Sequence, residues 1–220
     1  MIDAQGRVAA YTGVLSIAAA GQRLGAQYSV QANLMDNDRV WPAMAEAFDA
    51  TMGDLADRML AALEAGQRAG GDIRGKQSAA ILIVKANPTG RPWVGADRLF
   101  DLRVDDSADP VGELRRLVRL QRAYDHANHG DELMSQKHVE DALREYARAG
   151  EIAPEIVELP FWHAVTLASV GREAEARPIF QRVFQKEPKW ADLVPRLPAA
   201  KLLPDDPELL KRIVELAKKQ

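Results

Sequence analysis

The stretch AGQRAGGDIRGKQSAAILIVKAN, residues 65–87, decides how the first half of the chain is read. A helical segment ends at Gly70-Gly71, as a C-terminus closed by a left-handed residue does. Asp72, Arg74, Lys76, Gln77 and Ser78 follow and lead straight into the apolar run AAILIV. An apolar run of that length without polar alternation reads as a strand covered on both faces. The polar residues thus fall where a helix end and a strand end leave backbone groups unpaired. They suit two roles: satisfying that turn, or forming the rim of a pocket that positions a carbonyl or carboxylate substrate. Arg74 has Asp72, Asp97 and Asp105 as candidate partners, because a guanidinium forks onto a carboxylate through two parallel bonds.

Toward the N-terminus, Leu55, Met59, Leu60 and Leu63 recur at helical spacing, as do Val40, Met44, Ala47, Phe48 and Met52. Asp36-Asn37-Asp38 supplies a turn and N-cap before the earlier helix. RVAAYTG (7–13), VLSIAAA (14–20) and SVQANLM (29–35) read as extended strands. Toward the C-terminus, residues 87–92 (NPTGRP) read as a loop and RLFDLRVDD (98–106) as an alternating strand. Strands, a helix pair, strands and then a helix suggest layered α+β packing over residues 1–108.

From residue 109 onward the chain reads as helix throughout, and a repeat appears. Ala142, Tyr146, Ala149 and Pro154 return as Ala176, Phe180, Val183 and Pro188, while Gly130 matches Ala164 and Leu133 matches Leu167. The interval is about 34 residues, the period of tetratricopeptide helix pairs. A small residue lets helices approach, an aromatic fills the space between pairs, and proline ends the second helix. The expected repeats span about 122–155 and 156–189. Pro195, Pro198 and Pro204 break a third unit, which leaves DPELLKRIVELAKK (206–219) as a capping helix.

Composition excludes several functions. The chain has 220 residues, 47% hydrophobic and 28% charged, with net charge −3, so it lacks the basic balance of a nucleic-acid binder. It has no cysteine, which removes disulfides and thiolate chemistry together. No apolar run is long enough to span a bilayer, and the N-terminus lacks the pattern of a signal peptide. The expected location is cytoplasmic, with neither nucleic acid nor membrane as partner and no cofactor.

Individual candidates divide between chemical and structural roles. Thr12, beside Gly13, and Ser78 are hydroxyls without a sequence-adjacent base, and an unactivated hydroxyl is a poor nucleophile. Gln31 and Asn33 alternate on an expected strand and share a face, suited to a substrate or to a sheet edge. With Asp72, Arg74, Gln77 and Asp97 they make up the candidate substrate-binding set. His126 and His129 fall at helical spacing, yet two ligands are fewer than a metal site needs, so no metal is assigned. Arg115, Arg116, Arg119 and Arg122 read as a solvated face.

The blocks DAQGRVAAYTG (3–13), YSVQANLM (28–35), MAEAFDATMGDLADRMLAALEAGQRAGGDIRGKQSAAILIV (44–84) and ADRLFDLRVDDSADPVGELRRL (96–117) resemble the bacterial family known as domain of unknown function 1028. That family is related to the N-terminal-nucleophile hydrolases. The resemblance implies a layered α+β sandwich whose first residue, once the initiator Met is removed, is a hydroxyl nucleophile. Here the chain begins at what resembles the middle of that domain, so the front strands and the nucleophile are expected to be missing. Ser16 and the run AAA stand where the family tends to carry Cys and Trp.

The expected protein is therefore an N-terminal-nucleophile-hydrolase-like module without its nucleophile, followed by an all-α tetratricopeptide-like tail. Stacked helix pairs form a groove for a protein or peptide, lined here by Asp131, Met134, Phe161, Val165 and Ser169. A homo-oligomer, or association with a separate front segment, is expected through the incomplete sheet. Alternatives are an amide hydrolase completed by that front segment and a peptidoglycan-binding protein.

Overall fold

The ladder that joins Ala79–Val84 to Arg98–Val104 anchors the first half of the computed structural model, which describes residues 1–91, 93, 95 and 97–218. The elements in order are β1 (Gly21–Gly25), β2 (Tyr28–Ala32), α1 (Val40–Ala50), α2 (Leu55–Arg68), β3 (Ala79–Val84), β4 (Arg98–Val104), α3 (Pro110–Ser135), α4 (Val139–Ile152), α5 (Glu158–Ser169), α6 (Glu173–Lys186) and α7 (Pro207–Val214). The fold is mixed α+β, with two small antiparallel sheets, β1–β2 and β3–β4. The chain divides into two compact units, Met1–Val118 and Arg119–Gln220. No described helix is long and apolar enough to cross a membrane.

In the first unit Asp54 caps α2, its carboxylate accepting the Asp57 N–H at 3.0 Å. The other end closes in a Schellman motif. Gly71 N–H donates to Gly66 O at 3.0 Å and Gly70 N–H to Gln67 O at 3.3 Å, with Gly70 at φ 132°. A Cβ at Gly70 would lie 2.6 Å from the Asn37 amide nitrogen, so glycine is required there for space as well as conformation.

The β3–β4 hairpin turns Ile81, Ile83, Phe100, Leu102 and Val104 toward Ala56 and Leu60 of α2 and Leu114 and Val118 of α3. Its other face is open: Leu82 and Val84 are 58% and 57% exposed. The expectation that β3 is covered on both faces is thereby corrected. Side chains alternate on a strand, but both alternating sets here are apolar, so the sequence hides the period.

RVAAYTG and VLSIAAA are not strands of a sheet. Residues 7–13 contribute one isolated bridge, Ile2 with Val8, and residues 14–20 form turns and bends. Asp3 folds this start back on itself by accepting the N–H groups of Gln5 and Arg7 and pairing with the Arg7 side chain at 2.6 Å. The hairpin partner of β2 is instead GQRLG, whose flanking glycines read as punctuation. β2 itself ends at Ala32, before Leu34 at φ 58°. Of the expected loop at 87–92, Pro92 lies outside the described residues, as does Lys219 of the capping segment.

The second unit holds α4 to α7, the part of α3 from Arg119 onward, and 3-10 turns at Pro188–Arg196, Pro198–Ala200 and Glu215–Ala217. Phe161, Phe180 and Phe184 are wholly buried and form its centre, with Trp190 4.6 Å from Phe161 between ring centroids. α7 is capped by Asp206 and seals that core with Leu209 and Ile213. Gly130 packs against Tyr146, whose ring would lie 2.8 Å from an added Cβ. The arginines expected on a solvated face are partly spoken for: Arg115 pairs with Glu64, Arg116 with Glu113 and Arg119 with Glu155.

Two outcomes follow for stability. Gly130→Val forces the buried Tyr146 ring aside, and overpacking of that kind costs about 1–3 kcal/mol; urea unfolding of the variant measures it. Arg119 also donates to Ile152 O at 2.9 Å, and its hydrogen bonds hold the Glu155 carboxyl down at about 2. Between about pH 4.5 and about 2 the unfolded chain therefore binds a proton that the folded chain does not, and stability falls as the solution is acidified. Melting curves across that window should show a shallower decline for Arg119→Gln than for the wild type.

Candidate functional site

Asp72 is placed by backbone on both sides. Asp36 N–H donates to Gly71 O and Ile73 N–H to Leu34 O, both at 2.9 Å, which stitches residues 34–36 to 71–73. The Asp72 carboxylate then accepts the Arg74 backbone N–H at 2.8 Å, Arg74 Nε at 2.9 Å and Nη2 at 2.6 Å. Arg74 thus chooses Asp72 over Asp97 and Asp105. The Arg74 hydrogen bonds hold the Asp72 carboxyl down at about 2. The pair is not buried, since the Arg74 side chain is 68% exposed.

Asp72, Arg74, Gln77 and Ser78 line one depression of about 550 Å³ together with Met35, Met44 and Leu63. Lys76 also lines it, with Nζ 3.3 Å from Asp109. Gln77 accepts the Ser107 N–H through its carbonyl, which leaves its side chain exposed. The lining thus carries two cations paired with carboxylates, an exposed amide and a hydroxyl beside apolar side chains.

The remaining candidates lie outside that lining. Thr12 donates its hydroxyl to Gln22 Oε1 at 3.0 Å, while Gln22 Nε2 donates to Ala10 O, so the hydroxyl serves a local turn. Gln31 Nε2 donates to Ser29 Oγ at 2.6 Å, and Asn33 is exposed beyond the end of β2. Asp97 accepts the backbone N–H and hydroxyl of Thr89, fastening the loop before β4. Among the described residues, no histidine, lysine or carboxylate hydrogen-bonds the hydroxyl of Thr12 or Ser78.

In the second unit, Phe161 and Val165 are core residues, 0% and 3% exposed, and do not line an open groove. α5 is apolar around most of its circumference, and such a helix is buried on more than one side. Asp131 accepts the Tyr146 hydroxyl at 2.6 Å, and Ser169 donates to Thr166 O at 2.8 Å. Met134 is half-buried. His126 meets Glu145 at 2.6 Å and His129 meets Glu132 at 3.4 Å, each with its own partner. Among the described residues no group of three or more metal-ligating side chains forms.

A second hollow of about 500 Å³ was not anticipated from sequence; Tyr146, Gly150, Val157, His163, Ile179 and Arg182 are among its walls. The available signal was Gly150, a glycine inside the helical run ALREYARAGEI. Because the Asp72–Arg74 pair is exposed, Arg74→Ala should leave the denaturant midpoint nearly unchanged. The Asp72 carboxyl should rise from about 2 toward its ordinary 3.8, and NMR titration of that carboxyl checks it.

Residues 1–114 match the family described as "Family of unknown function (DUF1028)". Among solved structures the chain is similar to a Silicibacter pomeroyi protein of the DUF1028 family, at 30% identity and a TM-score of 0.45. That match covers 54% of this chain and 47% of the solved one, so the chain spans about half the length of the protein it resembles. No curated protein matches it. With the family match running over more than half of its length, the chain belongs to the family of unknown function DUF1028.

Proposed function

We propose that this chain is a binding protein: an N-terminal-nucleophile-hydrolase-like module joined to a tetratricopeptide-like tail that takes a protein or peptide. The observation that carries this reading is the fate of the spaced pairs. Ala142 and Ala176 are both wholly buried, Tyr146 and Phe180 are 4% and 0% exposed, and Ala149 and Val183 are 0% and 3% exposed. Pro154 and Pro188 each follow the end of a helix, α4 and α6. Equivalent positions doing equivalent packing is what a repeat array requires. The engaged Thr12 hydroxyl supports the same reading, because nucleophilic catalysis needs a hydroxyl activated by a base.

The first unit adds self-association to the proposal. Leu82, Val84 and Leu99 are exposed on the β3–β4 hairpin, and Tyr11, Val14 and Leu15 are 80–94% exposed near the start of the chain. Two-stranded sheets present unpaired edges that pair with other chains, and apolar patches mark interfaces.

Peptide-library selection on the full chain should enrich a motif whose binding weakens when Met134 becomes Glu. Purified protein should not turn over a panel of acyl-amide and peptide substrates. No enriched motif overturns the peptide-binding reading, and amide turnover lost in Thr12→Ala replaces it with an amide hydrolase. Light scattering on dilute protein should give a dimer or larger species that Leu82→Glu shifts toward monomer. A cooperatively folded wild-type monomer removes the self-association.

A further inference from the structure

The hollow in the second unit opens among α4, α5, α6 and the turn that joins α4 to α5. Its volume of about 500 Å³ falls in the range of small-molecule sites, which are mostly apolar with a few placed polar groups. Val157, Pro160 and Ile179 provide half-buried apolar wall.

The charges at the mouth do not cancel. Glu151 is paired with Arg148 at 3.1 Å. Lys186 Nζ donates to the carbonyl oxygens of Pro154 and Glu155, both at 3.1 Å, and lies within electrostatic reach of the Glu155 carboxylate. The neighbouring Glu155 carboxylate is forked by Arg119. Arg182 is exposed and has no hydrogen bond or ion pair among the described residues. Tyr146 is taken up by Asp131, whereas burial, and then nearby Arg172, lowers the pKa of His163 below its ordinary value.

Gly150 is an independent observation. It stands in the last turn of α4 without a positive φ, where glycine costs about 0.5–1 kcal/mol relative to alanine. A Cβ there would meet nothing within 4 Å, in contrast to Gly130, which Tyr146 crowds. Neither backbone nor packing asks for glycine at this position; what its missing side chain leaves is room in the hollow.

We infer that this hollow binds a small apolar carboxylate, its anion at Arg182 and Lys186 and its hydrocarbon body over Val157, Pro160 and Ile179 beside Gly150. The site uses none of the residues assigned to the peptide groove, so its failure leaves that reading standing.

The test titrates the full chain with sodium octanoate, and with octylamine as the charge control, by calorimetry and methyl NMR. Octanoate should bind saturably and shift the Ile179 and Val157 methyl signals, and octylamine should not. Arg182→Glu should weaken octanoate at least tenfold. Gly150→Leu should abolish binding while leaving the melting temperature unchanged or higher, since the leucine fills open space and favours helix. Acetyl-leucyl-leucine in a parallel titration distinguishes the sources: tighter than octanoate assigns a peptide C-terminus, weaker a free acid. Non-saturable octanoate, matching shifts from octylamine, or wild-type affinity in Gly150→Leu overturns the proposal.

Discussion

Two backbone hydrogen bonds, Asp36 N–H to Gly71 O and Ile73 N–H to Leu34 O, hold the first unit to its arrangement. They form only because α2 stops at Gly70-Gly71 and turns the chain back toward the segment after β2. The stop needs a left-handed residue, and Gly70 is further confined by Asn37, which donates to Ala69 O at 2.7 Å. From this junction the path of β3 is set, and with it the face that Ile81 and Ile83 present to α2. The Asp72–Arg74 pair and the depression beside it are products of the same turn. The polar cluster at the mouth of β3 is thus first an answer to backbone geometry, and whatever it binds is built on that answer.

Much of this was legible where periodicity is strong. α1, α2, β3 and β4 each announce themselves by apolar spacing or by an apolar run, and the helices from residue 110 onward do so too. What was not legible depended on long-range choice. GQRLG carries no strand signal of its own and becomes β1 only because β2 pairs with it and α1 packs against both, Trp41 over Gly21 of β1 and Phe48 against Tyr28 of β2 at 4.3 Å. RVAAYTG carries a strand signal and finds one bridge only. β-propensity states what fits a pleated surface, not whether a partner is present.

The candidate residues divided along similar lines. Asp72, Arg74, Gln77 and Ser78 are neighbours in sequence, and the structure gathers them around one depression. Gln31, Asn33 and Asp97 needed tertiary information to be placed: Gln31 bonds Ser29, Asp97 holds Thr89, and Asn33 is exposed. Phe161 and Val165 were assigned to a groove from helix order alone. Order cannot say which face of an apolar helix is left open, and α5 buries both residues. The hollow beside Gly150 was hidden for the opposite reason: its signal is a missing side chain.

The reach of α3 has a consequence for what is inherited and what folds. The family match ends at residue 114, yet Leu117 packs on the first unit's core and Val118, 1% exposed, belongs to it. The helix then runs on without a break and gives Ala123 to a core of the second unit. The stretch shared by descent is therefore shorter than the stretch that completes a hydrophobic core. A fragment cut where kinship ends would carry the family's signature without the closing residues of its own interior. In this chain the unit of ancestry and the unit of cooperative folding have different ends, and the later one is fixed by a helix that both units share.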